Sequence, residues 1–151
     1  MANKLDFYIK GNFRHLVSRL DALQHGAVPR WGKMNTGQML QHLNRAIGSG
    51  LGFYDFKDES NFFTRGPVKF LIFNVIKSFP KSSKTPQPLK VTDQFAFESE
   101  RDQLKKILHK AYCTTTNTDW KHHPYFGKLN RKEWGRLIAL HCDHHFKQFG
   151  V

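Results

Sequence analysis

The chain has 151 residues, with 24 Lys and Arg against 12 Asp and Glu, which gives a formal net charge of +12. This length suits a single folded unit, so we expect one domain over residues 1–151. Two cysteines without CxxC spacing argue against a disulfide-rich secreted scaffold, and the first ten residues lack the apolar core of a signal peptide. We therefore expect a cytoplasmic protein whose charge favours anionic partners without specifying one.

Two amphipathic helices are predicted in the N-terminal third of the chain. Apolar residues recur at three- and four-residue steps from Phe13 to Leu23, and this first pattern ends near Gly26. The same spacing runs from Met39 to Ile47, before a Gly-Ser-Gly sequence. Both patterns are typical of helices that bury one face.

The middle of the chain holds an apolar segment, residues 68–77, followed by a proline-rich stretch, residues 80–88. The apolar segment is far shorter than the ~20 residues that span a bilayer. We interpret it as a buried helix, and we leave open a helix on a membrane surface or a lid over a pocket. The three prolines of residues 80–88 predict a loop.

Two further helices are predicted towards the C-terminus. Residues 99–112 have helical apolar spacing, and Ser99-x-x-Asp102 predicts the N-terminal cap of that helix. Residues 129–150 form a long amphipathic pattern. Four or five helices without alternating strand patterns predict an all-α bundle.

Two matching sequences predict how the second and last helices begin. Gly32-Lys33-Met34-Asn35-x-x-Gln38 and Gly127-Lys128-Leu129-Asn130-x-x-Glu133 agree in residue type and spacing, and each predicts a capping box. Large aromatic residues flank both sequences, and we expect them to build the helix entries rather than to contact substrate: Trp31, Phe126 and Trp134.

Three histidines are candidate metal ligands. His141 and His145 are four residues apart on the last helix, so both imidazoles lie on one face about one turn apart. Counted from Asn35 and Asn130, the three histidines stand at +7, +11 and +15, and the equal phase predicts that His42 faces the pair. Three nitrogen ligands leave coordination positions open, as in a reactive metal site. Imidazole ligands favour a divalent transition metal over magnesium or calcium.

The motifs around these histidines resemble the DinB/YfiT-like superfamily. The resemblance rests on three stretches, which are Trp31-Gly-Lys-Met-Asn-x-x-Gln-Met-Leu-x-His42, His123-Pro-Tyr-Phe-Gly-Lys-Leu129 with Glu133-Trp-Gly135, and His141-x-x-His-His-x-x-Gln-Phe-Gly150. It covers most of the chain, from about residue 12 to the end, and is closest to a branch of uncharacterised biochemical role.

The resemblance implies a DinB-like up-down four-helix bundle with additional short helices, and often a homodimer. It also implies a divalent metal, zinc, nickel or iron, bound by His42, His141 and His145. Some relatives transfer low-molecular-weight thiols and others isomerise thiol conjugates. A small-molecule substrate, and in particular such a thiol, is therefore the expected partner, with no insertion into a membrane.

Three other residues are candidates for a second layer around the metal. Gln148 follows His145 by three residues and could orient that ligand. His144 is rotated about 100° from its neighbour, which favours a packing or surface role. His123 precedes a proline, which predicts an extended backbone at the pocket mouth or a solvated loop. Cys142 is interpreted as a packed core residue, because adjacent helical side chains diverge. No catalytic acid or base is assigned.

Two function classes follow from the sequence. The first is a metal-dependent enzyme, either a transferase or a hydrolase, centred on the three histidines. The second is a non-enzymatic basic protein that binds nucleic acid or another anionic partner. No recognisable nucleic-acid motif or basic-aromatic repeat supports nucleic acid as that partner.

Overall fold

A computed structural model describes residues 6–81, 83, 85 and 87–151. Its four α-helices are α1 (Lys10–Ala22), α2 (Thr36–Gly48), α3 (Phe97–Tyr112) and α4 (Arg131–Gln148). The described ranges contain no β-strand, only an isolated bridge between His123 and Gly127, so the all-α expectation is confirmed. Two predictions fall partly outside the described residues. Residues 1–5 belong to the N-terminal stretch that we expect to lack a signal peptide, and residues 82, 84 and 86 belong to the predicted loop.

The four helices enclose one apolar core. α2 packs most extensively on α3, α1 lies against α3 and α4, and α2 also meets α4. Leucines that are fully shielded from solvent supply the centre, and each such burial contributes roughly 1.5–3 kcal/mol. They are Leu20, Leu40, Leu43, Leu104 and Leu108. The contact between α2 and α4 is the part of this core that positions the histidines.

Both predicted capping boxes are confirmed. The Asn35 side chain accepts a hydrogen bond of 2.8 Å from the backbone N–H of Gln38, whose own side chain accepts from the Asn35 N–H. Asn130 and Glu133 make the same reciprocal pair at the start of α4. Each box satisfies backbone donors that the first helical turn leaves unpaired, and so fixes where the helix begins.

The cap predicted at Ser99 is wrong. α3 begins two residues earlier, at Phe97, after an Ala96 that makes no side-chain cap. Phe97 is buried in the core, so its packing extends the helix beyond the local cap signal. Two glutamates in the first turn further favour this start through the helix dipole.

The apolar middle segment forms a helical strap over residues 62–75, hereafter the strap. Its turns are widened into π-helix at Thr64–Val68 and Leu71–Val75. The prediction of a buried helix is wrong for this segment, because Phe70 is 63% exposed and Val75 54% exposed, whereas Phe73 is buried. The wide turn brings few side chains to the inner face, and Pro67 removes a backbone donor within it. Within the described residues, no helix is long and apolar enough to cross a membrane.

Candidate metal centre

α2 and α4 bring three histidines together, His42 from the first helix and His141 and His145 from the second. One nitrogen from each ring can be chosen so that the three lie within 4.8 Å of one another. The Nε2 atoms of His42 and His141 are 2.8 Å apart, and the ring centroids of the three pairs are 4.8, 4.9 and 5.0 Å apart. His42 and His145 are buried, while His141 keeps an edge open to solvent.

The tautomer of His42 is fixed by the backbone. Its Nδ1 atom lies 2.8 Å from the carbonyl oxygen of Leu89, which can only accept a hydrogen bond. Nδ1 of the neutral ring therefore carries the proton and donates it. The Nε2 atom is left unprotonated, so in its 2.8 Å hydrogen bond with His141 it accepts from the His141 Nε2–H, and a metal would take the place of that proton.

His145 is oriented in the same way by Gln148. The Nδ1 atom of His145 lies 2.8 Å from Oε1 of Gln148, whose Nε2 donates a 2.7 Å hydrogen bond to the carbonyl oxygen of Trp31. The Trp31 carbonyl accepts only, so it fixes which end of the amide faces the histidine. His145 consequently donates from Nδ1 and presents a bare Nε2.

The electrostatics of the cluster keep its rings neutral. Burial lowers the pKa of His42 below its ordinary value, and burial together with the neighbouring histidines holds the pKa values of His141 and His145 well below theirs. A proton on any of the three would be poorly solvated and repelled by the other rings. Neutral imidazole is also the form that binds a metal.

The donor set fits a divalent transition metal. Nitrogen ligands bind zinc at about 2.0–2.1 Å, so two of them can stand no more than about 4.2 Å apart. In tetrahedral coordination two such nitrogens stand about 3.4 Å apart, so a separation of up to 4.8 Å would have to close by about 1.4 Å, and the 2.8 Å between the Nε2 atoms of His42 and His141 would have to open by about 0.6 Å. Three neutral nitrogens suit zinc, nickel or iron, whereas calcium and magnesium prefer oxygen.

Aromatic side chains border the histidines on one side. The Phe79 ring lies edge-on to His141 and His144, with centroids 5.8 and 6.1 Å away. Trp31 lies edge-on to His144 at 5.6 Å, and the ammonium of Lys81 lies 4.8 Å from the Trp31 ring centre. His144 thus packs between aromatic rings beside the cluster and contributes no nitrogen to the three-histidine group.

His123 lies in the bridge with Gly127, as an extended backbone predicts. Its Nδ1 atom accepts hydrogen bonds from the backbone N–H groups of Tyr125 and Phe126, at 3.0 and 3.2 Å. The ring is buried against Phe126 and Trp134, and burial lowers its pKa to about 3. His123 is therefore a packed residue that organises the loop before α4. The alternative that it lies in a solvated loop is wrong.

Two neighbours of the histidines have structural partners. Asp143 forms ion pairs with Arg19 and Lys147 at 2.8 and 2.7 Å, facing away from the cluster. Cys142 is fully buried, and burial raises its thiol pKa to about 12. The burial of Cys142 matches its interpretation as a core residue.

Two contributors to the cluster were missed from the sequence. Leu89 acts through its backbone carbonyl, which no side-chain pattern reveals. Phe79 lies after the strap, and its position in the sequence gives no sign that it contacts histidines on α4. The composition of the loop between them indicated only irregular structure.

Comparison with known proteins identifies a family for this chain. Residues 3–150 match the family described as Protein of unknown function (DUF1569). The search of curated proteins and the search of solved structures each gave no match. Because the match spans nearly the whole chain, from before α1 to the end of α4, the protein belongs to the DUF1569 family.

Proposed function

We propose that this protein is a metal-dependent enzyme with a three-histidine site for one divalent transition metal. His42, His141 and His145 would be the ligands, and zinc, nickel or iron the metal. The reaction we propose is thiol-dependent transfer or hydrolysis on a small-molecule substrate. The metal would be resident in the protein and would keep at least one coordination position for water or substrate.

The observation that carries this proposal is the matched orientation of two buried rings. His42 donates from Nδ1 to the Leu89 carbonyl, and His145 donates from Nδ1 to Gln148. Each hydrogen bond leaves an Nε2 lone pair at the cluster. In metal-binding histidines, the ring nitrogen that does not bind the metal commonly donates such a hydrogen bond, which orients the ring and raises the basicity of the ligating nitrogen.

The superfamily resemblance supports the same proposal. The four α-helices of the all-α fold support a DinB-like up-down bundle as part of the proposal, in which the strap and two short 3-10 turns would be the additional helical elements. The histidines occupy the second and last α-helices, as the resemblance implies. A homodimer is part of the same proposal.

The residues around the cluster would have separate roles in the reaction. A divalent metal bound by three neutral imidazoles keeps its full charge and eases deprotonation of a bound water or thiol. Gln148 holds the His145 ring in place, and Phe79 covers one side of the histidines with apolar surface. The Lys81 ammonium beside Trp31 places positive charge near that side, where an anionic thiol substrate could approach.

Cobalt substitution tests the open coordination position. Protein loaded with Co²⁺ should show a new thiolate-to-metal charge-transfer band when a low-molecular-weight thiol is added. His144→Ala protein, which keeps the three ligands, should show the same band. Unchanged spectra at saturating thiol would contradict thiol coordination, while a shift with pH alone would favour the hydrolytic form of the proposal.

A further inference from the structure

The outward face of the strap is apolar. Its exposed residues recur about every four positions, at 62 and 63, 65 to 67, 70 and 71, and 74 and 75, and the charged one among them is Arg65. Large apolar side chains occupy most of these positions, and they are Phe62 (79% exposed), Phe63 (67%), Phe70 (63%), Leu71 (47%) and Val75 (54%). Single exposed apolar residues are common on proteins, but five along one helical face form a patch of the kind that marks an interaction site.

The inward face anchors the strap to the helices. Phe73 is buried and packs edge-on against Phe126, with ring centroids 5.6 Å apart. The Arg136 guanidinium on α4 donates a 2.8 Å hydrogen bond to the carbonyl of Ile76. The strap is thus held by its inner side, and Phe62, Phe63 and Phe70 project outward from a supported element.

Basic residues lie within the strap and in the segment that follows it in sequence. Residues 61–81 contain four basic side chains and no acidic one. Arg65 pairs with Asp58, and Lys69 with Glu133. No carboxylate among the described residues pairs with the other two, Lys77 and Lys81, and both are exposed.

We propose that the strap docks the protein on an anionic lipid bilayer. The phenylalanines would enter the boundary between headgroups and acyl chains, and the lysines would contact anionic headgroups. Such docking is peripheral and requires no membrane-spanning helix. A second copy of the chain is the less favoured occupant of this face, because it would bring the same basic segment to the contact, whereas a homodimer through another face is compatible with the docking.

Vesicle sedimentation tests the proposal with the full chain. The probes are vesicles of phosphatidylcholine alone and vesicles with about one third phosphatidylglycerol, a fraction that gives a strongly anionic surface. We expect binding to the anionic vesicles and at least about tenfold weaker partitioning of the triple variant Phe62→Ser, Phe63→Ser, Phe70→Ser. Replacing Lys77 and Lys81 with Gln should weaken partitioning by about fivefold per lysine.

Matched controls separate docking from loss of folding. Val28→Ser removes an apolar side chain that is 82% exposed on the loop between α1 and α2. Lys106→Gln removes one charge from the exposed side of α3. Both controls should partition like the wild type, and all variants should keep the wild-type circular dichroism spectrum because the altered side chains are exposed.

Three results would overturn the proposal. The first is equal binding to neutral and anionic vesicles. The second is no binding to either. The third is a wild-type dimer in sedimentation velocity that the triple phenylalanine variant converts to a monomer without any vesicle binding, which would assign the face to a second copy of the chain. None of these results bears on metal binding by the histidines.

Discussion

The Nδ1 atom of His42 lies 2.8 Å from the carbonyl oxygen of Leu89. Leu89 closes a short 3-10 turn, Gln87–Leu89, and its side chain is buried, so the turn is anchored where its carbonyl meets α2. The loop between the strap and α3 therefore has a defined task, which is to set the tautomer of a histidine on another element. A change in this loop can alter the cluster without touching any of its nitrogens.

Gln148 orients His145, so its removal should weaken metal binding. We expect Gln148→Ala to lower the affinity for zinc by about 10- to 100-fold, because the ring loses the acceptor that holds its Nδ1 proton. Competition with a chromophoric chelator measures this loss. Gln24→Ala is the matched control, since its side chain is exposed and donates to the nearby Ala22 carbonyl, far in sequence from the three candidate ligands. An affinity unchanged by Gln148→Ala would show that Gln148 does not orient a ligand.

Trp134 should contribute mainly to stability. It is fully buried and stacks on Trp120, with ring centroids 4.7 Å apart. We expect Trp134→Ala to lower the free energy of unfolding by about 3–5 kcal/mol in urea denaturation. Trp31→Ala is the matched control. Because the Trp31 ring is only half-buried, its removal should lower the free energy of unfolding by less. A loss below about 1 kcal/mol for Trp134→Ala, together with loss of metal-dependent activity, would reverse this assignment.

His123 should make the protein less stable in acid. Its folded-state pKa is about 3, below the ordinary value near 6.5, so the unfolded chain binds the proton more readily. The stability from this group is complete above pH ~6.5 and is lost as the pH falls towards about 3, at up to about 1.4 kcal/mol per pH unit.

The variant His123→Asn tests this dependence. The asparagine Oδ1 can still accept from the two backbone N–H groups that His123 binds, but the side chain does not titrate. Urea denaturation at several pH values gives the free energy of unfolding as a function of pH. Between pH ~6 and ~4, the slope of this dependence should be shallower in the variant than in the wild type, by the equivalent of about one proton. Equal slopes for both proteins would show that His123 is already protonated, or exposed, in the folded state.

The sequence predicts the elements whose signals are local. Asn35 and Asn130 are followed at the right spacing by Gln38 and Glu133, and the capping boxes form because all their partners lie within one turn. The phase of the histidines relative to these caps follows from helical geometry. That is why the side-by-side placement of His42 and the α4 pair could be anticipated without a structure.

Other features depend on contacts that are distant in sequence. Apolar content alone does not show which face of the strap is covered, because that depends on how Phe73 meets Phe126, 53 positions away. The start of α3 was misplaced for a similar reason, since Phe97 is buried by tertiary packing. The Leu89 carbonyl has no side-chain signal at all.

We propose that His42, His141 and His145 together bind one metal ion. Elemental analysis of protein purified without a histidine tag tests it most directly. We predict about one equivalent of zinc, nickel or iron per chain in the wild type, and loss of most of it in each of His42→Ala, His141→Ala and His145→Ala, with the fold retained. His144→Ala, beside the cluster, should keep the metal. Wild-type metal content in all three ligand variants would place the site elsewhere, and a metal-free wild type after incubation with all three ions would favour a non-enzymatic basic binding protein.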